Sequence, residues 1–330
     1  MKPIILVTDK QYGKGRAVYE SAEDVECRSV SCEEEILAAE INKYNVRAVI
    51  VGVEKYSGSL YPAISGGLVS RFGVGYDGID RDLCRQHNVM LTNTPGVLDR
   101  SVAEHAVWLM GCLARDISAG DRAVRAGTFP CPMGEEIFGK SLLLVGFGRI
   151  ARLVAHIAGC GLGMNVLAYD VTDLTTQARA ANLTEIAFLE QYHLNEYSTR
   201  LDPLLARADF VSLHMPSTPQ TYHFFDARKL AMFKKGAFLI NTARGAVLDE
   251  RDLFDALRAG HLAAAALDVF EREPYVPLDP SRDLRTLDNV ILTPHSASNT
   301  RQASQAIAQA SLANCRHFLA GRFEKMSRVW

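Results

Sequence analysis

Two sets of residues in this 330-residue sequence have types and spacing suited to chemistry. The first is Gly146, Gly148 and Ala151, within Val145-Gly-Phe-Gly148-Arg149-Ile150-Ala151. Two glycines permit a tight turn with close backbone approach, and a small third residue lets the following helix pack on the preceding strand. The exposed N–H groups and dipole of that helix suit a pyrophosphate. Asp170 closes the next apolar run, about 20 residues further on, where a dinucleotide fold places the acid that binds the adenosine ribose hydroxyls. An acid there favours NAD over NADP, because it repels a 2′-phosphate. The second set is Arg244, Glu273 and His295. Each stands just past an apolar run, and open α/β sheets place their ligands at strand carboxyl ends. Taken singly, Arg244 reads equally as a surface salt-bridge residue, Glu273 as a turn acid before Pro274, and His295 as a capping histidine. Together, beside a nicotinamide, they form one coherent set.

The elements that must position these residues follow from hydropathy pattern. Residues 141–145 predict a buried strand, 152–159 a helix and 165–169 a second strand. Later strands are expected at 208–214, 237–241, 262–267 and 290–292, with helices at 226–233 and 249–259. Before the glycine turn, strands at 3–8, 45–52, 67–71 and 89–92 enclose a helical pattern at 31–43. This alternation predicts parallel sheets, with the cofactor-binding half second in the chain. Gly73 and Gly75 also follow a strand, but Tyr76, Asp77 and Asp80 crowd that turn with bulk and charge. Its N–H groups suit a small carboxylate instead, or it is a plain tight turn. Residues 101–115 predict a long helix opened by a capping box of Ser101 and Glu104. The helix is apolar nearly all round and is expected to be buried on more than one side, at a domain junction or a subunit interface. A last helix, 301–319, is expected to cross back to the first domain.

The length suggests two domains with ample core. A net charge of −2 gives no electrostatic case for nucleic acid or membrane surfaces. No apolar run is long enough to span a bilayer, and the N-terminus reads as a first strand rather than a signal peptide. The seven cysteines form no CxxC pair, so a reduced, cytoplasmic protein without a metal site is expected.

The sequence resembles the D-isomer-specific 2-hydroxyacid dehydrogenases, which include phosphoglycerate dehydrogenases and glyoxylate/hydroxypyruvate reductases. The matching stretches are Ser70-Arg-Phe-Gly-Val-Gly-Tyr-Asp77, Asn93-Thr-Pro-Gly-Val97, Ser101-Val-Ala-Glu104, the run from Val145 to Ile150, Asn241-Thr-Ala-Arg-Gly245, Ala266-Leu-Asp-Val-Phe270 and Leu292-Thr-Pro-His295. They span nearly the whole chain. The resemblance implies an α/β fold of two doubly wound, Rossmann-like parallel-sheet domains. A flavodoxin-like substrate domain, residues 1–98 with 297–330, would receive an inserted NAD-binding domain, residues 99–296. It also implies a homodimer built on the inserted domain, and hydride transfer between NAD(H) and a small 2-keto or 2-hydroxy acid. His295 would be the acid/base, Glu273 its partner and Arg244 the substrate anchor. The Val74 and Gly75 backbone would hold the substrate carboxylate. Gly146, Gly148, Arg149, Ile150 and Asp170 would bind the cofactor, Pro216 and Thr242 would line it, and Asp268 would contact the nicotinamide carboxamide. The chemistry agrees. Reduction of a 2-keto acid needs a hydride on one face and a proton on the carbonyl oxygen, which a histidine beside a carboxylate supplies. A guanidinium fork can hold the carboxylate and polarise the ketone together.

The sequence departs from the family pattern in places. The third small residue of the turn is Ala151 rather than glycine. The stretch from Val171 to Arg207 is long, and residues 188–197 look inserted, as a surface elaboration or an oligomer contact. With its end at Trp330, the chain is expected to lack the regulatory domain that some phosphoglycerate dehydrogenases append. Two other readings stand beside the enzyme. One is a non-enzymatic NAD-binding partner protein, like the corepressor relatives, which can keep all three residues. The other is oxidation of an inorganic oxyanion such as phosphite, although such relatives carry lysine where Val74 stands. Substrate selectivity is expected around Glu54-Lys55-Tyr56 and Arg71. Lys55 and Arg71 hint at an anionic tail, a phosphate, phosphonate or second carboxylate, against the plainer reading of a solvated lysine and a structural arginine.

Overall fold

Twelve strands make two sheets, and every strand pairing is parallel in the computed structural model, which describes residues 2–329. The first sheet holds β1 (Ile4–Thr8), β2 (Glu26–Val30), β3 (Ala48–Val51), β4 (Leu68–Arg71) and β5 (Met90–Thr92), in the order β2-β1-β3-β4-β5. This is the flavodoxin-like order. The second holds β6 (Ser141–Val145), β7 (Asn165–Tyr169), β8 (Leu194–Ser198), β9 (Phe210–Leu213), β10 (Ala237–Asn241), β11 (Leu262–Leu267) and β12 (Val290–Leu292), in the order β12-β11-β10-β9-β6-β7-β8. This is the dinucleotide-binding order extended by one strand, and its direction of growth reverses between β6 and β9. The chain divides into two units, Met1–Leu98 with Ser298–Trp330, and Asp99–Ala297. Helices cover both faces of a parallel sheet, so β3, β4 and β9 are buried at every position.

In the first unit, the helix Asp9–Glu20 and the edge strand β2 depart from the sequence expectation. The helix carries Gly13 and Gly15 among charged residues, and β2 presents Glu26, Arg28 and Ser29, so neither shows a clean apolar period. What holds the helix is packing on Arg301–Leu319, the terminal helix, which lies in this unit. A Cβ on Gly15 would stand 2.6 Å from the Ala308 side chain. Ser70 Oγ donates to Ser311 O at 3.2 Å, and Asn314 Nδ2 to Asn93 O at 3.2 Å, fixing the terminal helix against β4 and the end of β5.

Three expectations about the second unit need correction. Residues 188–197, expected as a surface elaboration or an oligomer contact, are not a surface elaboration. Helix Glu185–Gln191 leads into β8, the outer strand beside β7, and Phe188 is fully buried. Phe188, Tyr192 and Tyr197 pack edge-on against Phe147 of the glycine turn, with ring centroids 6.0, 5.7 and 5.9 Å from it. The long helix starts at Asp99, so Ser101 sits inside the first turn and does not cap it. Finally, the α-helix after the glycine turn runs from Arg149 to His156 and widens into a π turn at Ile157–Gly161. There Gly159 lies so close to His193 that a Cβ would stand 2.6 Å from it. Among the described residues, no helix is long and apolar enough to cross a membrane, and no group of three His, Cys, Asp or Glu side chains is placed to hold a metal ion.

One buried acid gives the fold a pH signature. Glu250 opens helix Glu250–Arg258 and is 4% exposed. Its Oε1 accepts the Glu271 N–H at 2.7 Å, while Oε2 has no partner among the described residues. Burial, opposed by that hydrogen bond, pushes the carboxyl up from 4.5 to about 7. The folded state therefore holds a proton that the unfolded chain releases, and stability is lost as pH rises from the unfolded value through the folded one. Glu250→Gln keeps the acceptor and removes the titration. Relative to wild type, it should be more stabilising at pH 8 than at pH 5 by about 2–3 kcal/mol. Urea unfolding at the two pH values measures this, and an equal effect at both would refute it.

Candidate active site

The glycine turn follows directly from the geometry at the sheet's reversal point. After β6, Gly146 has φ +90°, and a Cβ there would meet the His214 carbonyl oxygen at 2.8 Å, so a side chain is excluded twice over. Gly148 faces open space at the N-terminus of helix Arg149–His156, with nothing within 4 Å of a built Cβ. Ala151 is fully buried beneath the helix, and Ile150 is partly buried against the same core. Arg149 projects outward, its side chain 67% exposed and Nε 3.9 Å from Asp99 Oδ2. Asp170, just past β7, lies on the turn. Its Oδ2 accepts the Phe147 N–H at 2.8 Å and its Oδ1 the Thr172 N–H at 2.9 Å. Pro216 follows β9, and its carbonyl accepts from Thr221 Oγ1 at 2.7 Å. Thr242 follows β10, and its buried hydroxyl has no partner among the described residues. Open space at a helix N-terminus, an acid at the second strand end and an orphaned hydroxyl together fit a dinucleotide.

Arg244, Glu273 and His295 sit on the loops after β10, β11 and β12. The Asn241 side chain shapes the first loop, accepting the Ala243 N–H at 3.0 Å and donating to Arg244 O at 3.0 Å. Arg244 Nη1 donates to Ala243 O at 2.6 Å. Gly245 packs on the next loop so closely that a Cβ would lie 1.9 Å from the Phe270 carbonyl carbon. Glu273 is oriented by the Phe270 N–H, which reaches its Oε1 at 3.1 Å, while Oε2 lies 2.7 Å from His295 Nδ1. With Nδ1–H donated to the carboxylate, Nε2 is the nitrogen left to exchange a proton with a ligand.

His295 has a left-handed backbone, φ +49°, and its N–H donates to Asp268 O at 2.8 Å. The Asp268 side chain secures the rest of that turn. It is fully buried and accepts from Thr293 Oγ1 at 2.6 Å, Ser296 N–H at 2.9 Å and Ala297 N–H at 2.9 Å. His105 Nε2 stands 3.4 Å from the same carboxylate and 3.2 Å from Thr293 Oγ1. Burial opposes ionisation of Asp268, but these hydrogen bonds, the one from His105 foremost, hold the carboxyl below its ordinary value. Sequence reading passes over His105 and Thr293. The available signal is His105 itself, a titratable residue directly before the long apolar run of its helix. Val74 and Gly75 belong to the other unit, in the turn after β4. There Gly73 has φ +137°, Thr94 N–H donates to Gly73 O at 2.9 Å, and Asn93 Nδ2 to Val74 O at 2.9 Å. Asp80 does not face that turn's N–H groups as a crowding charge. It caps helix Arg81–Gln86, accepting the Asp82 and Leu83 N–H groups at 2.9 and 3.0 Å.

Residues 107–297 match the family "D-isomer specific 2-hydroxyacid dehydrogenase, NAD binding domain". The chain is 36% identical over 313 residues to D-3-phosphoglycerate dehydrogenase 2, chloroplastic, of Arabidopsis thaliana, covering 93% of this chain and 47% of that protein. It is 38% identical over 260 residues to a glyoxylate reductase of Korarchaeum cryptofilum, covering 77% of this chain and 73% of the relative. It thus spans about half the length of the first relative and about three quarters of the second. Among solved structures, a D-lactate dehydrogenase of Aquifex aeolicus complexed with NAD and lactic acid superposes with a TM-score of 0.82 at 27% identity, over 98% of each chain.

The position of Asp170 predicts the choice of cofactor. Asp170→Ser should weaken NADH and tighten NADPH, each by about tenfold, the equivalent of one lost charged hydrogen bond or one relieved repulsion. Fluorescence titration with both nucleotides measures this. NADPH affinity that does not rise would remove Asp170 from the role.

Proposed function

This chain belongs to the D-isomer-specific 2-hydroxyacid dehydrogenase family, and from that premise we propose that it is an NAD-dependent dehydrogenase of a small 2-keto or 2-hydroxy acid. The observation that carries the reading is the 2.7 Å contact of His295 with Glu273, on a loop packed against the one that bears Arg244. The Gly146–Ile150 turn, Asp170, Pro216 and Thr242 would hold the nicotinamide cofactor, which when bound supplies or accepts the hydride. His295 Nε2 gives its proton to the ketone oxygen in reduction and takes it back in oxidation. Glu273 fixes the tautomer and stabilises the charged imidazole. Arg244 grips the substrate carboxylate and meets the charge that builds on the ketone oxygen. In the first unit, the N–H groups of Val74 and Gly75 would bind a substrate carboxylate. Asp268 holds the turn on which His295 stands.

A substrate with an anionic tail is the narrower part of the proposal. Arg71 ends β4 and is 7% exposed. Lys10 and Lys14 come from the helix after β1, with Lys10 Nζ 3.3 Å from Glu54 Oε1. Desolvation and the Arg71 charge lower the affinity of the Lys14 ammonium for its proton. Three cations around one acid at the carboxyl ends of adjacent strands suit a second anionic group. The proposal includes a homodimer through the second unit. Trp108, Ile117, Val124, Phe129, Met133 and Phe138 are between 54% and 98% exposed there, an apolar set that a second copy would cover. The seven unpaired cysteines accord with a reducing, cytoplasmic location.

The test is steady-state kinetics with NADH on a panel of 2-keto acids, with and without a distal phosphate, phosphonate or carboxylate. His295→Ala should lower kcat on the best substrate by roughly 10²–10⁴ while NADH affinity stays within a few-fold. Arg244→Lys should raise KM and lower kcat together, because an ammonium cannot meet both substrate oxygens in one plane. No turnover of any keto acid by wild type would reject the enzyme. Wild-type kcat/KM in Arg244→Lys would reject this assignment of the site.

A further inference from the structure

Three loops leave the carboxyl ends of β9, β10 and β11, and one imidazole touches all of them. His223, on the loop after β9, has a left-handed backbone (φ +47°), and its N–H donates to Ala246 O at 2.8 Å. Its Nε2 lies 2.7 Å from Glu271 Oε2, on the loop after β11, and its Nδ1 lies 3.2 Å from Asp249 Oδ2, beyond β10. Nε2 is hydrogen-bonded to Glu271, and Nδ1 stands within ion-pairing distance of Asp249.

We propose that His223 is a positioning residue that clamps the loop bearing Arg244 to the loop bearing Glu273. The inference rests on the roles proposed above for those two residues. Its side chain is 18% exposed and those of Asp249 and Glu271 are 9% and 7%, so solvent screens the clamp little. Other groups pack around the same contacts. Arg251 pairs with Asp249 at 2.7 Å, Tyr222 stacks on the imidazole with centroids 4.0 Å apart, and Glu250, whose carboxyl burial pushes up to about 7, adds little negative charge below that pH. Displacement at His223 has a short path to the site. Glu271 is two residues before Glu273, Glu250 N–H reaches Glu271 Oε1 at 3.3 Å, and Gly245 abuts the Phe270–Glu271 peptide. Arg244 and Glu273 are therefore spaced by a contact that His223 holds shut.

The experiment compares wild type with His223→Gln, which keeps a donor and loses the ring that reaches both loops, and with Glu271→Gln, which keeps the shape and removes the carboxylate. Amide hydrogen exchange over residues 244–249 and 268–273 should quicken by at least about threefold in both variants, while the 141–151 turn stays protected. On the best 2-keto acid, kcat/KM should fall about 10–100-fold, the scale of a displacement near 1 Å, with the NADH dissociation constant within a few-fold. In combination with Arg244→Lys, His223→Gln should cost less than it does alone, because both act through one guanidinium. Unchanged exchange in both loops overturns the proposal whatever the kinetics. So does a parallel loss of NADH binding and of protection throughout the unit, which marks a general structural role. Wild-type kcat/KM in His223→Gln beside an impaired Arg244→Lys also overturns it. If Arg244→Lys is itself unimpaired, the functional reading fails instead and the exchange result alone decides for His223. If His223→Gln does not fold, Glu271→Gln decides.

Discussion

A fully buried carboxylate at the end of β11 is the constraint on which the turn carrying His295 depends. Moving a carboxylate out of water is costly unless its oxygens are met by donors. Asp268 meets that requirement with donors from one short stretch, the Thr293 hydroxyl and the Ser296 and Ala297 N–H groups, together with His105 from the long helix. Satisfying the charge and folding the turn are therefore the same event. The turn that results carries His295 in a left-handed conformation that the isolated residue disfavours. That conformation brings Nδ1 onto Glu273.

The loops that bear the other ionisable residues are spaced by backbone against backbone. Gly245 can approach Phe270, and Gly146 can approach His214, only because neither carries a Cβ. Such contacts leave less slack than side-chain packing, which can shift between rotamers. A site assembled this way keeps its spacing through peptide geometry, and charged clusters such as the one around His223 then act on already closely packed loops.

The cofactor side is built from a different material. Phe147, between the two glycines, points into the core rather than toward a ligand and packs against rings contributed by residues 188–197. Arg152 from the following helix lies over the same rings, 5.1 Å from Tyr192 and 5.3 Å from Phe188. Edge-to-face rings and a guanidinium over their faces are mutually favourable arrangements. Through them β8 and its preceding helix brace the glycine turn from outside, so the segment that looks inserted is part of what holds Gly146 and Gly148 in place.

The sequence by itself determined the local features. Apolar runs marked ten of the twelve strands closely, because buried parallel strands must be continuously apolar. The glycine turn, Asp170 and the three ionisable strand-end residues were legible because backbone approach and charge restrict residue type at those points. Helix Asp9–Glu20 and strands β2 and β8 were not legible. Each lies at an edge or is held by partners distant in sequence, such as Ala308 for Gly15 and β7 for β8, so its own pattern is weak. The start of the long helix at Asp99 escaped for a related reason, since a capping box is a local preference that longer-range packing can override. Only the tertiary structure decided which polar residues work together. His105 with Asp268, and His223 with Asp249 and Glu271, are separated by 26 to 163 residues, and no spacing rule links residues brought together by the winding of a sheet.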